Sequence, residues 1–338
     1  MRILLIKMSS LGDVIHTLPA VTDAKSVYPS LVIDWVVEEG VAEIPQWHPG
    51  VDDVIPVALR RWKKQPRQAL HSGEWASFKS RLAARDYDLV IDAQGLLKSA
   101  ILGLWVNAPM VGYDARSIRE PAAALLYGKR FAVSRRMHAV ERIRELFALS
   151  LGYSLDVLPL NYGFSVNPMP VDRPYVVFLH GTTWSTKHWP EKNWRDLAIR
   201  CAQAGLGVRV VWGNEEERLR AERLGEVSGV EVMPKMSLKE VAGVLQGAKA
   251  VVSVDTGLGH LAAALDRPLV ALYGPTSAEL TGIYGPQQIS LSGQYHCAPC
   301  MKRQCRYDIL AQTRQGIDPP CWQNLSVSYV WSTLKSCL

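Results

Sequence analysis

The feature that most limits what this chain can fold into is a pattern that runs twice: short, β-branched apolar stretches separated by longer segments of helical periodicity. In the first series, residues 2–8 (RILLIKM) read as a buried strand, followed by a Ser-Ser-Leu-Gly-Asp turn and a helix over 14–27. Further strands are expected at 32–37, 54–57 and 88–92, and a helix at 139–151. From 156 to 173 the chain turns irregular, with Pro159, Pro168 and Pro170 inside the stretch and Pro174 just beyond it, the composition of an interdomain linker. The second series has strands at 175–180, 208–212, 230–233, 250–254 and 269–273, and 326–338 reads as a terminal helix. Alternation of this kind builds parallel sheets covered by helices. The expectation is therefore an α/β protein of two Rossmann-like domains, residues 1–165 and 171–325, with 326–338 as a C-terminal helix. Two such halves are expected to face a central cleft and to bind ligands at the carboxyl ends of their strands.

With 338 residues, of which 48% are hydrophobic and 21% charged, the chain can bury two cores. The 38 basic and 32 acidic groups leave a net charge of +6, too mild for a nucleic-acid binder but compatible with an anionic partner. The basic residues are unevenly spread: RRWKKQPR, residues 60–67, carries five cations and no acid. That segment suits phosphates, while its plain alternative is a solvated helix face. No apolar run is long enough to span a membrane, and the opening MRILLIKMSS meets a polar turn where a signal peptide would carry its cleavage region, so a cytoplasmic location is expected.

Three turns carry the chemistry. Asp13 follows the first strand and Gly12; as a carboxylate at a helix start it can accept a proton from a sugar hydroxyl, or merely cap the helix. In the second series, His180-Gly181-Thr182-Thr183 leads through Lys187 to a helix beginning near Pro190, and hydroxyls with a lysine before a helix suit phosphate oxygens. The alternative there is an ordinary capped strand–helix turn. The strongest local signal is SVDTGLGH, where a buried strand meets Asp255-Thr256-Gly257 and a helix opens with His260 one turn in. Its first amides and dipole suit a pyrophosphate. After Trp212, acidic residues such as Glu217 suit ribose hydroxyls, and Trp212 or Met236 can cover an adenine face.

Together these segments closely resemble the heptosyltransferase family. The likeness runs through SSLGDVIHTLPA, DWVVEEG, RRWKK, DAQGLLKSA, REP, KHWP, PKMSL, SVDTGLGHLAAALDRP and YGPT, in that order and over most of the chain. It implies a GT-B fold and an inverting glycosyl transfer without a catalytic metal. It matches Asp13 to the family's base, and Thr182, Thr183, Lys187, Glu217, Met236, Asp255, Thr256, Gly257 and His260 to its donor contacts. Arg60, Arg61, Lys64 and Arg119 match positions associated with the anionic groups of the acceptor. The donor so implied is ADP-L-glycero-beta-D-manno-heptose and the acceptor the Kdo of Kdo2-lipid A, in lipopolysaccharide inner-core synthesis. Peripheral contact with the cytoplasmic face of the inner membrane is implied too. The family member that adds the second heptose, or another glycosyltransferase of the same family, is the alternative.

Asp86-Tyr87-Asp88 has the Asp-x-Asp form used by metal-dependent transferases, but its place before a strand of the first half reads as a solvated helix end. A dehydrogenase would show G-x-G-x-x-G after a strand, which SSLGD does not. A sugar-nucleotide epimerase shares the alternation and is separated only by assay. One departure stands out at the tail, Cys297-x2-Cys300-x4-Cys305-x15-Cys321. Four such cysteines can hold zinc or iron in a structural thiolate site or stand as a reduced, unliganded cluster.

Overall fold

In the computed structural model, residues 1–171, 173–307 and 319–338 are described. The chain divides into two compact units, Met1–Phe164 and Ser165–Leu338.

The first unit holds one six-stranded sheet: β1 (Arg2–Ile6), β2 (Val32–Glu38), β3 (Asp53–Val57), β4 (Leu89–Asp92), β5 (Met110–Tyr113) and β6 (Lys129–Phe131). Its strand order is β3-β2-β1-β4-β5-β6 and every pairing is parallel. The second unit repeats this plan with β7 (Tyr175–Leu179), β8 (Gly207–Val210), β9 (Val230–Val232), β10 (Ala250–Val254), β11 (Leu269–Tyr273) and β12 (Gln288–Ser292), in the order β12-β11-β10-β7-β8-β9. Helices cover both faces of such sheets, so central strands are buried on two sides and read as unbroken apolar runs. Thus Ile3, Leu4, Leu5 and Ile6 of β1, and all five residues of β7, β10 and β11, are buried. In each sheet the order reverses where the first strand meets the fourth, β1 beside β4 and β7 beside β10. There the outgoing connections part to opposite sides and leave a crevice beyond the strand ends.

Three strands escape the sequence pattern: β5, β6 and β12. Two are only four and three residues long, β5 contains Gly112, and β6 and β12 are sheet edges where Lys129, Arg130, Gln288 and Ser292 interrupt the apolar run. The expected helix over 14–27 is instead two, Leu11–Ile15 and Leu18–Val27, because Pro19 in the first turn of the second supplies no amide to continue the first. The Asp-x-Asp segment is only partly solvated: Tyr87 is buried with its hydroxyl on Asp34 (2.9 Å), and Asp88 accepts from the Arg2 amide (2.6 Å). Asp88 thus meets the first residue of β1, at the end of that strand away from Asp13.

His48 is packed beneath the helix Leu18–Val27. Its Nδ1 accepts from the Gly50 amide (2.9 Å), which leaves the proton on Nε2, 2.8 Å from Thr22 Oγ1. Burial, aided by Lys25, pushes its pKa down to about 4, so the ring is neutral. In the second unit an aromatic cluster, Phe178, Trp189 and Trp194, has ring centroids 5.0 and 5.2 Å apart. Trp189 donates to the Leu325 carbonyl (3.0 Å), which makes the KHWP tryptophan a core anchor for the loop ahead of it.

Candidate active site

Each unit presents a set of polar residues at the carboxyl end of its sheet. In the first, the turn after β1 carries Asp13 in the helix Leu11–Ile15. One carboxylate oxygen caps the helix, accepting from the Ser10 amide (2.6 Å) and the Ser10 hydroxyl (2.8 Å). The other lies 3.9 Å from Lys7 Nζ, and the side chain stays 43% exposed, so capping leaves Asp13 open to a substrate. Lys7 itself is buried and donates to the Ala93 carbonyl (3.0 Å); burial pulls its pKa down while Asp13 opposes the shift. Gln94, just beyond β4, takes the amides of Met8 and Ser9 (2.9 and 3.1 Å) and so pins this turn across the β1–β4 reversal.

The basic segment is less uniformly cationic than its sequence reads. Arg61 is held by two acids, Glu39 (3.0 Å) and Glu74 (2.9 Å), and Trp62 is buried, donating to Glu74 (2.7 Å). Arg60 and Lys64 remain exposed and line an open depression with Arg61, Glu38 and Glu39. Arg119 is exposed on the loop after β5. The sheet order places β3 and β5, the strands these cations follow, two strands to either side of β1, the strand Asp13 follows.

In the second unit the contacts interlock. Lys187, in the turn Ser185–Lys187, pairs with Asp255 Oδ2 (2.7 Å), and Thr276 Oγ1 donates to the same oxygen (2.7 Å). Thr182 Oγ1 donates to the Asp255 carbonyl (3.0 Å), which joins the loop after β7 to the loop after β10 across the strand reversal. Lys187 and Asp255 are 15% and 11% exposed, and the ammonium also lies 4.4 Å from the Trp184 ring centre. Thr256 immediately precedes the helix Gly257–Ala264, whose Gly259 packs so near Ser253 Oγ that a Cβ there would stand 2.7 Å away. His260 is buried on this helix and Thr183 is exposed.

Glu217 joins this group through a glycine. Its carboxylate accepts from the Gly213 amide (2.8 Å) and lies so close to Gly181 that a Cβ there would be 2.5 Å from Glu217 Cδ. Met236 is half-buried just ahead of the helix Leu238–Gly247. Trp212 is tied to the Met233 carbonyl (2.7 Å), so its indole closes the strand end. Sequence reasoning missed Thr276, Gly181, Gln94 and Lys7. YGPT following β11 was the available signal for Thr276, but nothing local announces which acid it meets.

The comparisons with known proteins follow this geometry. The glycosyltransferase family 9 (heptosyltransferase) model matches residues 75–311. The lipopolysaccharide heptosyltransferase 1 of Pseudomonas aeruginosa is 51% identical over 100% of this chain and 98% of its own. That of Escherichia coli K12 is 51% identical, covering 83% of this chain and 90% of the relative. A solved structure of the E. coli heptosyltransferase WaaC with ADP superposes at a TM-score of 0.86, with 44% identity and full coverage of both chains. A type 2 enzyme of Salmonella typhimurium is 26% identical over 83% of this chain, a far more distant likeness. With its doubled parallel sheets and its paired sets of polar residues at the strand ends, the chain belongs to glycosyltransferase family 9, the heptosyltransferases.

Proposed function

We propose that this heptosyltransferase moves L-glycero-D-manno-heptose from ADP-heptose to the Kdo of Kdo2-lipid A. The first unit serves the acceptor and the second the donor. The observation that carries the donor half is the Thr182–Lys187–Asp255–Thr276 network, a preset cation beside the first amides of a helix, which suits a diphosphate. The E. coli structures described as holding ADP and ADP-2-deoxy-2-fluoro heptose, 44% and 49% identical to this chain, support the same reading.

The step is a single displacement. A Kdo hydroxyl gives its proton to Asp13 as its oxygen bonds to the anomeric carbon of heptose; the bond from that carbon to the diphosphate oxygen breaks with its electron pair, and ADP departs. Lys187, Thr182, Thr183 and the amides at Thr256 and Gly257 balance the growing charge on the diphosphate. Asp255 serves as a positioning residue, fixing Lys187 and Thr276. Glu217 receives ribose hydroxyls, and Met236 and His260 line the donor. Arg60, Lys64 and Arg119, with Arg61 inside its acidic clamp, receive the anionic groups of the acceptor.

Work at a lipid surface fits the first unit. Leu97, Ile101 and Leu104 recur at helical spacing on and just after the helix Leu97–Gly103 and are 40%, 42% and 55% exposed; Leu125, on the adjoining turn Pro121–Leu126, is 73% exposed. Lys98 lies on the same helix, and Lys79 sits over Trp105 just beyond it, charges that suit an anionic bilayer. Among the described residues no helix is long and apolar enough to cross a membrane.

The test is transfer itself. Kdo2-lipid A incubated with ADP-heptose and the enzyme should gain the mass of one heptose and release ADP. Transfer only to an acceptor that already carries one heptose would move the activity to the second addition, and an epimerised nucleotide sugar without transfer would overturn it.

A further inference from the structure

Four of the six cysteines converge. Cys297, Cys300, Cys305 and Cys321 line one small cavity of ≈ 20 Å³ together with Thr186 and Pro275. A space of that size takes a single ion or water and no organic ligand. The other two, Cys201 in the helix Glu191–Gln203 and Cys337 at the end of the last helix, lie outside it, and no disulfide joins any of the six. Cys321 is buried and faces the same cavity as the other three thiols.

The segment that brings them together has little else to hold it. Residues 293–307 contain neither helix nor strand, and the short turn Pro320–Trp322 supplies the fourth cysteine. The segment is nevertheless closely applied to the donor loops. Thr186 Oγ1 donates to the Lys302 carbonyl (2.9 Å), Ser185 Oγ to the Arg303 carbonyl (3.3 Å), Met301 N to the Pro275 carbonyl (2.8 Å) and Trp322 Nε1 to the Thr186 carbonyl (3.1 Å). Thr186 precedes Lys187 and Pro275 precedes Thr276, the two residues that meet on Asp255 Oδ2.

We propose that Cys297, Cys300, Cys305 and Cys321 bind one divalent cation of the zinc or ferrous class as a tetrahedral thiolate site, and that this site braces the donor loops from behind. Among the described residues no three His, Cys, Asp or Glu side chains stand in a ready metal-ligand arrangement. Closing on an ion therefore takes rotation of thiols that already face one cavity. Binding releases the thiol protons and forms four bonds to sulfur, the coordination that zinc and iron share. The role is structural: four thiolates fill a tetrahedral shell and leave no position for water, and the cavity is lined by Thr186 and Pro275, the residues just ahead of Lys187 and Thr276. The inference goes beyond the transfer reaction and stands if the sugar specificity proves different.

The full-length protein, purified without chelator from cells supplied with zinc and iron, should carry one ion per chain by elemental mass spectrometry. Zinc leaves it colourless, whereas iron gives visible thiolate absorption. Cys297, Cys300, Cys305 and Cys321 should resist a thiol reagent until the ion is removed, while Cys201 is shielded by its own burial in either state. Because Cys297→Ser and Cys300→Ser would fold poorly if the site is needed for folding, the wild type is also stripped and titrated with cobalt(II). A thiolate-to-cobalt absorption saturating at one equivalent is expected, and the stripped protein should bind ADP several-fold more weakly. No ion, no cobalt band, or two disulfides among these four cysteines would overturn the site; an ion whose removal leaves ADP affinity unchanged would overturn the bracing.

Discussion

The two units share one strand order but arrange charge in contrasting ways. In the first, Asp13 is almost half exposed, its contacts are its own capping serine and a lysine 3.9 Å away, and the accessible cations follow other strands, two removed from β1 on either side. In the second, Lys187, Asp255, Thr276 and Thr182 bond to one another at low exposure. Charges in water-poor surroundings keep their orientation and strength, whereas exposed ones are screened over roughly 10 Å at moderate salt. The closed network suits a small diphosphate of fixed shape. The open edge suits a large acceptor whose anionic groups are far apart, and it leaves the base accessible to the hydroxyl it must deprotonate.

The largest expected perturbation of stability comes from acid, and it tests whether both units rest on neutral buried histidines. Burial lowers the pKa of His48 to about 4 and, with Arg220 nearby, that of His180 to about 3. The unfolded chain takes up these protons below its ordinary 6.5 while the folded rings resist. Their contribution is therefore full above that pH and fades as pH falls towards 4 in the first unit and towards 3 in the second. For His48 this amounts to ~3 kcal/mol. Urea midpoints should drop across that range, and His48→Gln should flatten the upper part of the fall.

Next in size is the donor network. Lys187→Ala removes a charge-assisted contact of about 2 kcal/mol, roughly thirty-fold in ADP affinity by calorimetry, with the acceptor KM unchanged. An equal loss for both substrates would erase the division of labour. Gly181→Ala should weaken the donor less, by pushing the Glu217 carboxylate aside, and Glu217→Ala should cost little more once Gly181 is replaced. The smallest effect belongs to the basic segment: Arg60→Ala and Lys64→Ala should raise acceptor KM several-fold and lessen its salt dependence, whereas Arg61→Ala should do so less, since Glu39 and Glu74 already neutralise it.

What the sequence made legible follows the same contrast. Strands buried on both faces, such as β1, β7, β10 and β11, write themselves as apolar runs, and the helix Ala139–Leu151 has the expected bounds. The Asp255-Thr256-Gly257 turn was recognisable because strand, turn and helix are contiguous. Edge strands β6 and β12 were hidden by their polar residues, and Pro19 divided a helix whose apolar pattern runs on across it. The pairing of Arg61 with Glu39 and Glu74, the meeting of Thr276 with Asp255, and the seating of Glu217 on Gly181 join residues distant in the chain. No local pattern encodes such contacts.

The division between an acceptor-side base and a donor-side cradle is tested most directly by Asp13→Asn, with turnover and ADP affinity measured on the same preparation. Asparagine can still accept from the Ser10 amide, so the helix cap survives while the base is lost. Turnover should fall by about 10²–10⁴ with ADP affinity unchanged. Turnover within a few-fold of wild type, or a matching loss of ADP affinity, would contradict the account.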